Sequence, residues 1–443
     1  MKNISSFRNK KILVLGLGLS GLAAIDLLKH AGAEIFYHDD QSNSQASGTM
    51  INCQSAEELA KLHLDVLIKS PGIPLENWYV ETAQKLQIPI MTELELAARF
   101  CDSHLVAVTG TNGKTTVTTL IYEMIKLAQG GHAFKAGNIG IPFSKVVQEA
   151  KSDDYIVVEA SSFQLEFTQE FHPQIAVITN VFPHHLEHHH SFENYLAAKS
   201  FIFANQIKSD FLVVNGDHQD LNPYLKEAKS QLIFFSAQTN PQKAVVYVSD
   251  RAIYYKDEKI CKIEDLLIRG QHNLENFIAA ATVAKLLGIE NQVIKKVAQT
   301  FKGVEHRLEY VGEKFSCKFY NDSKATDEEA TIVALDSLNA PIVLLAGGMD
   351  RGDNFSALAQ HLKNVKLVEL FGENREILQK IIASSNIKIV MNNTLQEAFN
   401  DGVTHLEAGD TMLLSPASAS WDQFKSFEER GKMFKKMYRE LEK

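Results

Sequence analysis

The chain reads as an α/β protein of three successive blocks, and two observations predict this. Short apolar runs that end in polar residues alternate with amphipathic helical stretches along its length, and glycine turns of the kind that hold phosphate open the first and second blocks. Its 443 residues exceed one ordinary core. About 100–200 residues per domain gives two to four domains, with three as the working number.

In the first block, Lys11 to Asp40 runs strand (KILVLGLG), helix (Ser20 to Ala31) and strand (AEIFYHDD), a βαβ unit. LDVLIKSPGIP adds a strand that stops at Ser70-Pro71-Gly72. Gly16-x-Gly18-x-x-Gly21, with Asp39 and Asp40 after the next strand, imitates a dinucleotide fingerprint. The same turn holds any pyrophosphate, that of a nucleotide sugar included. Arg8, Lys10 and Lys11 ahead of an apolar run also imitate a signal peptide, but Asp26 and Lys29 interrupt that run. A buried strand turning into a helix explains the same letters.

The second block starts near Leu105. LVAVTG is a strand, and TTVTTLIYEMIKLA places Leu120, Ile121, Met124, Ile125 and Ala128 on one helical face. Between them lies TGTNGKTT. The usual phosphate loop has glycine five residues before Gly-Lys-Thr, where this chain has Val108 and moves its glycine to Gly110. The backbone of Gly110, Thr111, Asn112 and Gly113 and the helix N-terminus can still converge on phosphate oxygens. Lys114 adds a positive charge, and the hydroxyl of Thr115 or Thr116 can ligate Mg²⁺. DYIVVEASS and QIAVITNV read as further buried parallel strands. Glu159 ends the first of them, either as a hard oxygen ligand for Mg²⁺ or as a cap on the next helix. NVFPHHLEHHH holds five histidines. His184 with His188, or His185 with His189, have the i, i+4 spacing of a zinc pair on a helix; the plainer reading is surface histidines with no metal.

The third block follows TFKGVEHRLEYV. APIVLLAGG, VKLVELFG, IKIVMN and DTMLLSPAS alternate with helical stretches, and the chain closes on the amphipathic FEERGKMFKKMYRELEK. NDSKATDEEAT and SPASASWDQFKSFEERG offer Lys324, Thr326, Ser415 and Ser420 for hydrogen bonding, though helix capping explains much of both. In open parallel sheets the ligand sites lie beyond the carboxyl ends of the strands, which is where these unusual residues fall.

Hydrophobic content of 45% and charged content of 22% are those of an ordinary soluble protein. A formal charge of −9 disfavours a protein that coats nucleic acid. Cys53, Cys101, Cys261 and Cys317 are far apart with no CxxC pair, so neither a disulfide framework nor a structural zinc site is expected, and a reducing cytoplasm fits. No segment has the length and uniform apolarity of a membrane span.

TGTNGKTT, EASSFQL, the Asn-x-x-x-x-His-Leu run from Asn180, Lys199, GQHNLENFIAA, EHRLE, NDSKAT and SPASASWDQFKSFEERG stand in the order found in the Mur ligases. The sequence resembles that family over nearly its whole length, and the shifted glycine of the phosphate loop is the family's own form. The folylpolyglutamate synthetases share the middle block but would not bring this first one.

The resemblance implies a Rossmann-like UDP-substrate domain at 1–97, a central P-loop ATPase domain with a parallel-rich sheet at 98–303, and a Rossmann-like α/β domain for the amino acid at 304–443. It implies ATP-dependent amide bond formation in peptidoglycan precursor synthesis. On GLGLSGLA, NDSKAT and above all the final segment, the reaction implied adds D-glutamate to UDP-N-acetylmuramoyl-L-alanine. The substrate carboxylate attacks the γ-phosphate to give an acyl phosphate, and the amine then displaces phosphate through a tetrahedral intermediate. Such chemistry is mostly positioning and charge neutralisation. A monomer acting on these small molecules is expected.

Carried over position by position, Lys114 and Thr115 hold phosphate and magnesium, while Glu159, His185 and a carbamylated Lys199 complete the ligands of two magnesium ions. Gly18, Leu19, Ser20, Asp39, Ser70, Pro71, Gly72, Asn138, Ser161 and Gln164 are implied for the UDP substrate. Asn273 and Asn276 fall to the adenine side, Arg307 and Asp322 to the phosphates and ribose, and Lys324, Thr326, Arg351, Ser420 and Phe427 to D-glutamate. Three positions depart from the family pattern: His184 replaces the usual Asp, Asp327 an Asn, and Arg351 a Lys. Lys199 also has a reading from its neighbours. Leu196, Phe201, Ile202 and Phe203 are apolar, so its pKa should fall and the neutral amine can take up CO₂. The alternative is a stem that covers apolar surface while the ammonium reaches water.

Three other functions compete. A sister Mur ligase would add a different amino acid. A nicotinamide-dependent dehydrogenase would use Gly16, Gly18 and Gly21 but leave the second phosphate loop without a purpose. A regulatory nucleotide-binding protein would tolerate the loss of Glu159, Lys199 or His185, and all three are present.

Overall fold

The computed structural model describes residues 1–39, 46–138, 140–218, 220–238, 244–268, 270–338, 340–352, 355–385 and 387–442. Asp40, named above with the first glycine turn, lies outside them. The chain divides into two compact units, Met1–Phe301 and Lys302–Lys443.

Two sheets form the first unit. β1 (Lys11–Leu15), β2 (Glu34–His38), β3 (Thr49–Met50), β4 (Val66–Lys69) and β5 (Ile90–Thr92) make an all-parallel sheet in the order β3-β2-β1-β4-β5. The order reverses between β1 and β4, so the glycine turn after β1 stands at a topological switch point.

The second sheet contains β6 (His104–Thr109), β7 (Ala133–Gly137), β8 (Tyr155–Glu159), β9 (Ile175–Ile178), β10 (Phe211–Asn215), β11 (Gln231–Phe235), β12 (Val246–Ser249), β13 (Ala252–Tyr255) and β14 (Glu258–Lys262). Its order is β14-β13-β12-β11-β10-β9-β6-β8-β7, parallel except for the β12-β13-β14 meander. β6 lies between β8 and β9, so its C-terminal loop is flanked by the ends of both.

One apolar cluster joins these two sheets. It takes in Leu28 and Leu94 from helices of the first sheet's block and Phe143, Phe171 and Ile178 from the second's, each 0% exposed. Burying a side chain of this size contributes about 1.5–3 kcal/mol. The helix Glu93–Phe100 carries much of the link, packing on the helices Leu19–His30 and Phe143–Glu149.

The second unit holds β15 (Glu309–Lys314), β16 (Cys317–Asn321), β17 (Ile342–Gly347), β18 (Val365–Phe371), β19 (Lys388–Met391) and β20 (Thr411–Leu414) in the order β15-β16-β20-β17-β18-β19. Only β15 runs antiparallel to its neighbour among these described strands. β17 is buried along its whole length because both faces are covered: Leu344 packs with Leu370 and Leu378 on one side, Leu345 with Phe399 and Phe434 on the other.

The long elements read from the sequence are present, including the βαβ unit, the helix Lys114–Ala128 and the closing helix Phe427–Glu440. One position is corrected. Ala128 is exposed, and the buried face of its helix runs instead through Val117, Leu120, Ile121, Met124 and Ile125. The first apolar run is β1 and the start of Leu19–His30. Among the described residues no helix is long and apolar enough to cross a membrane, and all four cysteines are free thiols.

Candidate active site

The phosphate loop explains its own displaced glycine. Val108 is a β6 residue, 0% exposed and paired with both Glu159 of β8 and Val177 of β9, so that position is strand and tolerates a β-branched side chain. The turn begins two residues later. Gly110 has φ 148°, and a Cβ there would collide with Thr179 Oγ1; Gly113 has φ 82°, and a Cβ there would collide with Asn276 Oδ1. Both positions need glycine for conformation and for space. Asn276 therefore abuts the loop from the helix Gln271–Leu286, which packs on Lys114–Ala128.

The loop is braced from behind. Asn112 N donates to Asn180 Oδ1 (2.9 Å), Thr179 Oγ1 donates to Asn112 O (2.6 Å), and Thr111 Oγ1 lies 3.0 Å from Tyr195 Oη. Thr179 and Tyr195 were not singled out in the sequence. Thr179 is a polar letter at the end of an apolar strand and Tyr195 an ordinary letter of a mixed helix, and only the fold brings them to the loop.

Lys114 Nζ donates to Gly110 O (2.9 Å) and Thr111 O (2.8 Å). Lys199 Nζ donates to the same Gly110 carbonyl at 2.8 Å, lies 4.4 Å from the Tyr195 ring centroid and is 1% exposed. Burial, and after it the charge of Lys114, holds the Lys199 amine well below the usual lysine range. The surface-reaching alternative is overturned by that burial. Of the apolar neighbours, Leu196, Ile202 and Phe203 are buried, whereas Phe201 is 38% exposed and takes little part.

Glu159 ends β8, 2% exposed, one strand from the loop, and its Oε1 accepts from Asn138 Nδ2 at 3.2 Å. The cap on the following helix comes from another residue: Ser161 Oγ accepts from Gln164 N, and Gln164 Oε1 from Ser161 N. The capping alternative for Glu159 thus falls away, and the polar letters of ASSFQ are a capping box. Gln164 O also accepts from Thr92 Oγ1 of β5 (2.9 Å), tying this turn to the first sheet.

The histidine cluster departs from the i, i+4 helix pattern. The helix there is only Leu186–His189, with His185 before it and His190 after it in left-handed conformation, φ 54° and 64°. His189 is 3% exposed, not a surface residue, and burial holds its pKa down to about 4. Its Nε2 lies 3.0 Å from Ser162 Oγ, and His188 Nε2 lies 3.0 Å from Glu166 Oε2. The Phe163 ring sits among His185, His188 and His189.

At the first glycine turn, Gly16 has φ 82° and its carbonyl accepts from Ser70 Oγ (2.9 Å), so the ends of β1 and β4 are joined. Asp39 Oδ2 accepts from Leu17 N and closes the turn onto β2. Gly18 precedes the helix with nothing within 4 Å of a Cβ, and Leu19 is 75% exposed at its first position. Gly18 and Leu19 therefore face open space, while Ser20 is half-buried and Ser70 lies against Gly16 and the Cβ position of Gly21. Lys69, fully buried at the end of β4 and depressed in pKa by that burial, carried no signal in the sequence beyond one charged letter in an apolar run.

In the second unit, Asp322 follows β16, 4% exposed, its Oδ1 accepting from Leu308 N (2.9 Å) and its Oδ2 from Ser415 Oγ (2.8 Å). Burial raises its pKa to about 6 against the opposing charge of Arg307. Arg351 Nη2 donates to Thr326 O (3.1 Å), so two residues implied for one ligand are neighbours. Asp327 caps the helix Glu328–Asp336, its Oδ1 accepting from Ala330 N at 2.8 Å. Asn and Asp cap about equally well, which accounts for that departure.

Arg430 was missed. It is 0% exposed, and its guanidinium donates to Ser323 Oγ (3.0 Å), Ser323 O (2.8 Å) and Ala419 O (3.3 Å), while Ser323 Oγ donates to Phe427 O (2.8 Å). The NDSKAT loop, the SPASAS loop and the closing helix are thereby fixed to one another. Burial lowers its pKa to about 9. A signal existed: Arg430, Phe434 and Met437 share one buried stripe at i, i+4, i+7.

These features define a phosphate-loop nucleotide-binding protein on parallel sheets. The Mur ligase middle domain matches residues 108–284, and the Mur ligase glutamate ligase domain matches residues 306–418. The chain is 43% identical, over 98% of both chains, to a UDP-N-acetylmuramoylalanine–D-glutamate ligase of Bacillus cereus (strain B4264). A similarly named protein of Bacillus thuringiensis (strain Al Hakam) is 42% identical over the same shares. Among solved structures it is similar in fold to the UDP-N-acetylmuramate-alanine ligase MurC of Thermotoga maritima, with a TM-score of 0.60 at 17% identity, covering 97% of this chain and 99% of that one. The chain belongs to the Mur ligase family.

Proposed function

We propose that the protein joins D-glutamate to UDP-N-acetylmuramoyl-L-alanine at the expense of ATP, forming ADP and phosphate, as a step in peptidoglycan precursor synthesis. The observation that carries this reading is the likeness to relatives of that name over 98% of the chain, which takes in all three sheets. The muramoyl carboxylate takes the γ-phosphoryl group of ATP to become an acyl phosphate, and the D-glutamate amine displaces phosphate. The loop from Gly110 to Thr116 and Lys114 hold the ATP phosphates, with Asn273 and Asn276 toward the adenine and Arg307 and Asp322 toward the phosphates and ribose.

Gly18, Leu19, Ser20, Asp39, Ser70, Pro71, Gly72, Asn138, Ser161 and Gln164 serve the UDP substrate. Lys324, Thr326, Arg351, Ser420 and Phe427 serve the amino acid. Magnesium fits the residues present: the buried Glu159 carboxylate and the Thr115 hydroxyl are hard oxygens, and His185 would add a nitrogen ligand. The ions would supply charge neutralisation on the transferring phosphoryl group.

Lys199 is the chain's own contribution to that chemistry. Its amine, pushed toward the neutral form by burial and then by the charge of Lys114, adds CO₂ with loss of a proton to become a carbamate anion. The carbamate nitrogen keeps one hydrogen, so the bond to Gly110 O survives while two oxygens are gained. A reaction drawing on ATP and a nucleotide-sugar substrate belongs in the cytoplasm.

The test is phosphate release from ATP with UDP-N-acetylmuramoyl-L-alanine and a panel of amino acids. Release should depend on D-glutamate. Equal release with L-glutamate, lysine or alanine, or none with any acceptor, sinks the reading.

A further inference from the structure

Outside the phosphate-loop machinery, three donor side chains converge. Glu166, His188 and His189 each offer one ligand atom, and the three atoms lie within 4.8 Å of one another. Glu166 follows the one-turn helix Ser162–Leu165, and both histidines sit on Leu186–His189, so two turns of chain face each other. Glu166 Oε2 and His188 Nε2 are 3.0 Å apart, the imidazoles of His188 and His189 are set 85° to one another, and Ser162 Oγ stands 3.0 Å from His189 Nε2.

Two imidazoles and one carboxylate are a donor set for a zinc-class ion, whereas Mg²⁺ prefers oxygen. Donors bound tetrahedrally at about 2.0–2.2 Å sit roughly 3.3–3.6 Å apart, so the present separations need only small side-chain rotations. A plain His188–Glu166 hydrogen bond accounts for one contact of the three. The His189–Ser162 contact accounts for a second, and neither accounts for three donor atoms gathered within 4.8 Å of one another.

We propose that Glu166, His188 and His189 form a binding site for a zinc-class divalent transition ion, with Ser162 or water completing the shell, separate from the oxygen-rich magnesium site. The inference goes beyond the ligase reaction and does not depend on it. An ion held there fixes the four-residue helix that follows His185.

Co²⁺ is the probe, added to the full-length protein under saturating Mg²⁺ so that the magnesium site is competed out, with tetrahedral Co²⁺ absorption as the readout. The expected result is one Co²⁺ per chain in the wild type and in His185→Ala. His188→Gln and Glu166→Gln should each weaken binding at least about tenfold, since even changes behind a ligand cost about 10–100-fold. Zn²⁺ should raise the melting temperature of the wild type and leave that of His188→Gln unchanged. Absence of the band in the wild type, its persistence at full affinity in both Gln variants, or its loss in His185→Ala would overturn the proposal.

Discussion

Lys114 and Lys199 donate to one carbonyl, that of Gly110, and the Lys199 amine is buried. Burial, and after it the charge of Lys114, disfavours a second cation there, and conversion of the Lys199 amine to a carbamate sets an anion beside Lys114 instead. Lys199→Ala should therefore lose about 10²-fold or more in rate, because charge stabilisation at a water-poor phosphoryl site is what is removed. A short-chain carboxylic acid should restore part of it. NMR of fully active protein equilibrated with isotope-labelled CO₂ should show a carbamate on the wild type; no signal there would refute the modification. Asp327 gives the opposite kind of expectation. Because its carboxylate is spent on Ala330 N, Asp327→Ala should cost about 1 kcal/mol of stability in urea unfolding, as lost caps do. Asp327→Asn should cost little and leave the Michaelis constant for D-glutamate unchanged. A large change in that constant with Asn would place Asp327 at the amino-acid site.

The helix Glu93–Phe100 binds the two sheets of the first unit together, and it does so with a carboxylate buried at its first residue. Glu93 is 1% exposed and accepts from Ser144 N of the helix Phe143–Glu149, while its Oε2 has no hydrogen-bond partner among the described residues. Burial raises its pKa from 4.5 to about 7. A carboxyl that holds its proton more tightly when folded contributes full stability below about pH 4.5, loses it as pH rises toward 7, and is flat above. Glu93→Gln keeps the acceptor and removes the charge, so its stability relative to wild type should grow across that window by on the order of 3 kcal/mol at most. A difference independent of pH would show that the carboxylate is solvated.

This helix also marks where the sequence was legible. Long parallel strands announced themselves through apolar runs, as in IVLLAG of β17, because both of their faces are covered. The hairpins β12–β13 and β15–β16 did not. Their turns place Asp250 and Arg251 (φ 47° and 56°) and Phe315 and Ser316 (φ 55° and 58°) in left-handed backbone without the Asn-Gly or Asp-Gly letters that signal such turns. At the candidate site, glycines and charged letters at strand ends could be read, whereas Thr179, Tyr195 and Arg430 act through tertiary neighbours that no local pattern encodes.

At the scale of the whole molecule, the chain has more sheets than compact units. The phosphate loop and the first glycine turn stand on different sheets, yet both sheets belong to Met1–Phe301 and share one apolar cluster. Ligands at the two turns should therefore stabilise the same cooperative transition, while Lys302–Lys443, with cores of its own, should melt separately. A ligand that binds only the folded state at about 100 times its dissociation constant adds about 2.7 kcal/mol. For a unit of this size that is a rise on the order of 2–5 °C. In calorimetry, the UDP substrate should move the first unit's transition by such an amount and leave the other in place, D-glutamate should do the reverse, and a nucleotide, which also meets Arg307 and Asp322, should move the first unit's transition and raise the second as well. Lys114→Ala separates the two turns within the shared unit. It should abolish ATP turnover and most of the nucleotide-induced shift, because the charge that Lys114 presents beside Gly110 and Thr111 is lost. The shift caused by the UDP substrate should persist at full size, since nothing at Gly16, Leu17 or Ser70 is touched. If the variant turned over ATP normally, the loop would not be the ATP site. If both shifts vanished together, the first glycine turn would not be an independent site for the UDP substrate.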